Sequence, residues 1–214
     1  MLIFLRSRIY EAVEFLKVKR RYYGDAHFKK VDQTILHSCD PFSISKKYLM
    51  EKGDDPYQYG ETPLTTLDKI AKEFKIGAHD QVIEMGSGRG RCAFFLSYFY
   101  KCKVVGIEQI GDFVELGNAI VRVYKLPKLK FVEANMLDMN VSSATYLYLY
   151  QSMLSDSDID LLCEKLSDAS KKLKVITVSY PLQDYDSRYR VEKVIRGEFL
   201  FGKTEVYLNT RREL

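Results

Sequence analysis

Apolar residues along this chain alternate between short continuous runs and helically spaced faces. Val82, Ile83 and Met85, and then Val104, Val105 and Ile107, form runs of the kind expected of buried parallel strands. Leu129 to Glu133, Thr145 to Tyr150 and Val175 to Ser179 read as three further strands, the middle one from its alternation and its tyrosines. Helical spacing appears in Leu64, Leu67, Ile70, Ala71 and Phe74, with Thr62 as the expected N-cap, Pro63 at the first position and Gly77 as the stop. Cys92 to Tyr100 is apolar almost all round, which predicts a helix buried on more than one side. Phe113, Leu116, Ile120 and Val123 mark another helix, ended by Pro127. Ser155 and Asp158 open one more as a capping-box variant, running to about Lys172. Val191 to Phe201 and Glu205 to Thr210, joined across Gly202 and Lys203, predict a β-hairpin.

The first part of the chain is different in kind. Leu2 to Lys19 carries Ile9, Val13 and Leu16 near helical spacing and closes on Lys17, Lys19, Arg20 and Arg21, which suit a helix C-terminus. Asp40-Pro41 and Gly53-Asp54-Asp55-Pro56 are turn signals, with a short helix expected from Ile44 to Glu51. The expected organisation is a helical extension over residues 1–56, covering a cleft or shaping its entrance, and a main domain over residues 57–214. Tyr22, Tyr23, Lys29 and Lys30 continue the basic stretch. The favoured reading is a solvated helix end whose tyrosines pack on the domain. A weak nucleic-acid or acidic-protein surface is the second. A basic amphipathic helix at a membrane surface is the third, and Glu11 and Glu14 count against it.

Length and charge narrow the class without choosing the chemistry. The chain has 214 residues, enough for one domain with a small appendage, and a formal net charge of +4, which permits an anionic partner without requiring one. Cys39, Cys92, Cys102 and Cys163 are scattered with no C-x-x-C, which fits a reducing, cytoplasmic setting. His27, His37 and His79 do not cluster, so no metal site is expected. The apolar stretch before Arg6 is too short for a signal core or a membrane span, and no other stretch is long enough for a transmembrane segment.

The chemistry lies between Gln81 and Gln109. Strand, glycine turn, helix and strand follow one another there, as in a βαβ crossover. Gly86, Gly88 and Gly90 allow a turn tight enough for a ligand to approach the backbone, and the next helix aims its free N–H groups at the same point. Glu108, ending the second strand, can accept both hydroxyls of a ribose. The dinucleotide fingerprint G-x-G-x-x-G is not met, because Arg91 stands where its third glycine belongs.

Glu84-x-Gly86-Ser87-Gly88-x-Gly90 instead resembles motif I of class I S-adenosylmethionine-dependent methyltransferases. That resemblance implies a Rossmann-like α/β fold, with a mostly parallel seven-stranded sheet in the order 3-2-1-4-5-7-6 and helices on both faces. It implies S-adenosyl-L-methionine as cofactor, with Glu108 and Gln109 at the ribose and Asn135 and Met136 at the adenine; Asp138 competes with Asn135. Tyr59-Gly60-Glu61-Thr62, followed by this turn, further resembles the non-SET histone-lysine methyltransferases, the disruptor-of-telomeric-silencing family. In that family the first loop closes over the methionine part of the cofactor, which implies the same for Tyr59, Glu61 and Thr62. Small bacterial-type methyltransferases and the ATP-synthase c-subunit lysine methyltransferases look similar too.

Ligands of open α/β sheets sit beyond the carboxyl ends of strands, which puts Tyr150 and Gln151 at the transferable methyl. The chain departs from its relatives there: Tyr150, Gln151 and Ser152 stand where the histone-lysine family has Asn-Asn-Phe, and N-P-P-[YF] is absent. The expected catalytic set is Gln151, Tyr150 and Glu61, with Gln151 also touching the cofactor, and the expected reaction is in-line N-methylation of a protein lysine. Tyr180 is an expected wall of the substrate channel. A small-molecule or RNA acceptor, or a non-catalytic cofactor-binding module, are the alternatives. A flat basic patch joining Lys17–Arg21 to Arg188–Arg190 favours RNA, and a closed apolar pocket favours a small molecule.

Overall fold

In a computed structural model, residues 2–53, 59–150 and 154–212 are described. Seven strands form one sheet: β1 Gln81–Met85, β2 Lys103–Glu108, β3 Leu129–Glu133, β4 Tyr146–Leu149, β5 Lys174–Val178, β6 Tyr189–Phe199 and β7 Gly202–Arg211. Their order is β3-β2-β1-β4-β5-β7-β6, as the motif resemblance implies. The first five run parallel, and β7 inserts antiparallel between β5 and β6. The order reverses between β1 and β4, so a crevice opens at the carboxyl ends of these strands.

Period-two alternation assigns the strand residues to two faces. Val82, Val104, Tyr146, Tyr148, Ile176 and Val178 face one core. Ile83, Met85, Ile107, Leu147, Leu149 and Val175 face the other, against Ile159, Leu162 and Cys163 of helix α7 (Asp156–Lys165). The Ser155–Asp158 capping box forms as expected, although the helix ends at Lys165 and passes into a short 3-10 turn.

The first face carries most of the helices. Helix α5 (Arg91–Phe95) runs directly into a π-helical turn, Leu96–Tyr100, and α6 spans Gly111–Val123. The rings of α5 and its π turn are covered by the N-terminal helices α1 (Leu2–Tyr22) and α2 (Ala26–Ser38): Tyr22 meets Phe95 at 5.0 Å between centroids, and Phe28 meets Phe99 at 4.7 Å. This is why that helix is apolar on every side. Helix α3 (Pro41–Lys52) is longer than expected because Asp40 caps its start, accepting from Phe42 N, and Gly53 closes it in the left-handed region at φ 78°.

Two local expectations are corrected. Helix α4 (Leu64–Glu73) has Pro63 as its cap residue, and no side chain at the cap bonds the turn. Glu14 of α1 does so instead, accepting from Thr65 N at 3.0 Å and Thr65 Oγ1 at 2.6 Å, and Thr62 is left to bond the Tyr148 hydroxyl at 2.5 Å. In α1, Glu14, Val18 and Tyr22 form the buried side, whereas Ile9, Val13 and Leu16 face outward.

Candidate active site

The cleft is assembled by the glycine turn. Gly86 and Ser87 both donate their N–H to Ile107 O at 2.9 Å, locking the turn onto the end of β2. Gly88 has φ 52° and Gly90 φ 82°, values that L side chains adopt only with strain. The two glycines leave room for different neighbours. A Cβ at Gly88 would stand 2.9 Å from Tyr59 Oη, and one at Gly90 would stand 2.3 Å from Phe131 Cζ. Gly88 thus admits the tyrosine of the Y-G-E-T loop, while Gly90 lets β3 pack close beneath the turn.

Beside this turn lies a cleft of about 340 Å3, within the usual range for a small-molecule site. Gly86, Gly88, Glu108, Gln109, Asn135, Met136, Tyr59 and Tyr150 all line it, so the structure brings together most of the residues singled out from five separate stretches. Glu108 is buried, and burial pushes its pKa up. Three backbone donors oppose that shift: Gly88 N reaches Oε2 at 2.7 Å, and Gln109 N and Ile110 N reach Oε1 at 2.8 and 3.0 Å. Of about four lone-pair directions on a carboxylate, three are therefore taken by backbone. Asn135 Oδ1 accepts from Leu137 N at 2.9 Å and caps the short turn Met136–Asp138. Asp138, the competing adenine reader, pairs with Lys165 at 3.0 Å and lies outside the cleft lining.

Five expected cofactor residues stand behind the wall instead of in it. Ser87 points toward Gly106, its Oγ buried with no hydrogen-bond partner in the structure. Gly90 faces Phe131. Glu84 is on the α5 side of β1, buried, and burial pushes its carboxyl up to about 8, so it carries a proton at neutral pH. Thr62 is engaged by Tyr148. Glu61 is turned onto Arg89, whose Nε and Nη2 reach its two oxygens at 2.5 and 2.9 Å, and Tyr59 Oη donates to it at 2.7 Å. Burial raises the Glu61 pKa, but the Arg89 guanidinium outweighs it and holds the carboxyl below its ordinary range. Gln151 lies outside the described residues, and Tyr180 is not part of the cleft lining.

A second cavity, of about 250 Å3, lies on the other side of the Y-G-E-T loop. Tyr10, Glu11, Glu14 and Phe15 of α1, Phe42 of α3, Glu61 and Arg89 contribute to it. Tyr59 and Gly60 line both spaces, so this loop is the partition between them. Gly60 sits against Tyr150, whose ring would be 2.7 Å from a Cβ there, and Tyr150 stacks on Phe199 at 5.7 Å. Arg89 and Phe113 were not singled out from the sequence. Arg89 is an exchangeable position between two glycines, and Phe113 reads as one of a helix's core residues. Among the described residues, no group of three or more His, Cys, Asp or Glu side chains converges as a metal site.

The fold and this cleft define a class I S-adenosylmethionine-dependent methyltransferase. Residues 50–142, which run from the end of α3 through the glycine turn to beyond Asn135, match the family described as histone methylation protein DOT1. Among solved structures, the chain is similar to an RNA methyltransferase from Salinibacter ruber in complex with S-adenosyl-L-homocysteine, at 20% identity and TM-score 0.60, over 72% of this chain and 95% of that one. It is also similar to MtNAS in complex with MTA and tNA, at 14% identity and TM-score 0.60, over 92% and 76% of the two chains. A third is the B. subtilis M1A22 tRNA methyltransferase TrmK, at 14% identity and TM-score 0.56, over 69% and 66%. Among curated proteins none matches the chain by sequence.

The cleft fits the cofactor of that class on its own geometry. A positive-φ glycine turn leaves open a space that a Cβ would narrow, and a buried carboxylate stands at the end of the neighbouring strand. Asn135 and Met136 close the far wall.

Proposed function

We propose that this chain N-methylates a lysine side chain of a protein. One observation carries the reading: the cofactor cleft adjoins a second cavity across Tyr59 and Gly60, with aromatic walls and with Glu11 beside Glu14, Glu61, Arg89 and Arg91, of which Glu14 is bonded to Thr65, Glu61 to Arg89 and Arg91 to Asp32. Tyr10, Phe15 and Phe42 suit an alkyl chain, and Glu11 suits the ammonium that arrives at its end. The match to the DOT1 family over residues 50–142 supports the same acceptor class.

When bound, S-adenosylmethionine supplies a methyl group activated on a sulfonium. The chain's part is to hold the ribose at Glu108 and Gln109 and the adenine between Asn135 and Met136. Its further part is to present a neutral amine. Removing the proton from a lysine of pKa about 10.4 costs about 4.6 kcal/mol at pH 7. Burial among Tyr59, Tyr150 and Phe42 lowers that cost by disfavouring the charged form, and the proton leaves to water before transfer. No dedicated base is needed. Gln151, adjacent to Tyr150, orients the amine, and residues 1–56 shape its entrance. Much of the acceleration then comes from alignment, which can supply roughly 7–11 kcal/mol.

RNA is the second reading, favoured by two of the similar structures, an RNA methyltransferase and a tRNA methyltransferase. The surface does not support it. Lys17 meets Glu198 at one end of β6, and Arg188 precedes the other end. Arg190, Lys193 and Arg196 are exposed on the strand between them, but Glu192 and Glu198 alternate with these and Lys193 is paired with Glu73, so the face carries mixed charge and not a uniformly basic stripe. Incubation of the protein with methyl-labelled S-adenosylmethionine and a cell lysate distinguishes the readings. Label recovered as methyllysine after protein hydrolysis is the expected result. Label that ribonuclease removes, or that stays with small molecules, contradicts it.

A further inference from the structure

The outward side of α1 has no function in the site described. Ile9, Val13 and Leu16 follow one another at i, i+4 and i+7, which makes a single stripe. They are 57%, 44% and 62% exposed, respectively. Arg20 continues the stripe at i+11, and Arg8 and Lys19 flank it, all exposed. Both acids of the helix that argue against a membrane contact are turned elsewhere: Glu14 is buried on Thr65, and Glu11 lines the second cavity. The helix therefore has two apolar sides, one packed on the domain and one facing water between cationic side chains.

We propose that this side of α1 docks on an anionic lipid surface. The arrangement matches an interfacial helix: apolar residues enter the acyl boundary while Arg and Lys at its edges meet negative headgroups. The charge pattern selects this occupant. A second copy of the same helix would bring Arg8, Lys19, Arg20 and Arg21 against their own kind. A nucleic acid would leave Ile9, Val13 and Leu16 without a use. No helix of the described residues is long and apolar enough to cross a membrane, so the contact lies along the surface.

Flotation of the full chain with phosphatidylcholine vesicles, with and without phosphatidylserine, tests the proposal. The expected result is binding to the serine-containing vesicles at least about tenfold above neutral ones, weakened by salt. Ile9→Glu with Leu16→Glu should reduce it at least about tenfold, and Lys19→Ser, Arg20→Ser and Arg21→Ser together should remove the preference for anionic vesicles. Calorimetric titration with S-adenosylmethionine should be unchanged in both variants, which shows that each has folded. Wild-type protein that stays with neither vesicle overturns the proposal. So does an Ile9→Glu/Leu16→Glu variant that binds like wild type, which would mark a contact made by charge alone. A wild-type dimer that this variant converts to a monomer also overturns it, because the stripe would then be a self-association surface.

Discussion

The Tyr59 ring lies across the backbone of Gly88, with its hydroxyl 2.9 Å from where a Cβ would be. This contact ties the loop that precedes α4 to the glycine turn that lines the cleft. Gly88→Ala therefore carries two penalties: strain at φ 52° and displacement of the tyrosine. S-adenosylmethionine affinity, measured by calorimetric titration, should fall at least about tenfold, corresponding to about 1.4 kcal/mol or more. Tyr59→Phe keeps the ring in place and should bind within a few-fold of wild type.

The Glu61–Arg89 pair is largely buried, with side chains 22% and 10% exposed. Arg89→Met leaves the Glu61 carboxylate without its cation and should destabilise the protein by about 3–5 kcal/mol. Adding Glu61→Gln should recover much of that loss. Urea denaturation of the two single variants and the double variant measures the coupling, and additive effects would show that Glu61 and Arg89 contribute independently of each other.

Glu84 gives a pH signature. Its folded-state pKa of about 8 lies above the ordinary carboxyl value. Its contribution is fully present below the unfolded pKa, where both states hold the proton. As pH rises toward 8 the unfolded chain releases that proton while the folded chain keeps it, so stability falls, by up to roughly 5 kcal/mol. Glu84→Gln should remove this slope. Denaturation midpoints of both proteins between pH 5 and about 8 provide the check.

Phe131 is enclosed by three glycines: a Cβ at Gly90, Gly106 or Gly117 would stand 2.3, 2.5 or 2.6 Å from its side chain. In wild type, Gly117→Ala should cost about 1–3 kcal/mol by overpacking. In a Phe131→Ala background the sign should reverse, because the alanine then supplies only its better helix propensity, about 1 kcal/mol. Denaturant unfolding of the four proteins of this cycle reports both signs.

How much of this was legible depends on how local the cause is. The glycine turn, the five parallel strands and the hairpin follow from side-chain period and turn chemistry, and the sheet order follows from the motif resemblance. Thr62 is a sound N-cap by local rules, yet the Thr65 N–H it would bond is taken by the carboxylate of Glu14, a residue of another helix. Ile9, Val13 and Leu16 have core spacing, and nothing within α1 says which of its two apolar sides packs. Helix α2 was not predicted, although Asp25 before Phe28, Val31 and Ile35 is a readable cap and face. Glu61 and Glu84 belong to recognised motifs, but their orientation is decided by Arg89 and by α5. The second cavity is built from six segments distant in sequence, so no single stretch announces it.

The central claim is that this cleft binds S-adenosylmethionine through the glycine turn and the Glu108 carboxylate. Calorimetric titration of wild type, Glu108→Ala and Glu108→Gln tests it most directly. Circular dichroism on the same samples reports whether each variant is folded. The account predicts saturable one-to-one binding by wild type, and at least about a tenfold loss in folded Glu108→Ala, with Glu108→Gln between the two. Absence of binding by folded wild-type protein, or undiminished binding by folded Glu108→Ala, would contradict it.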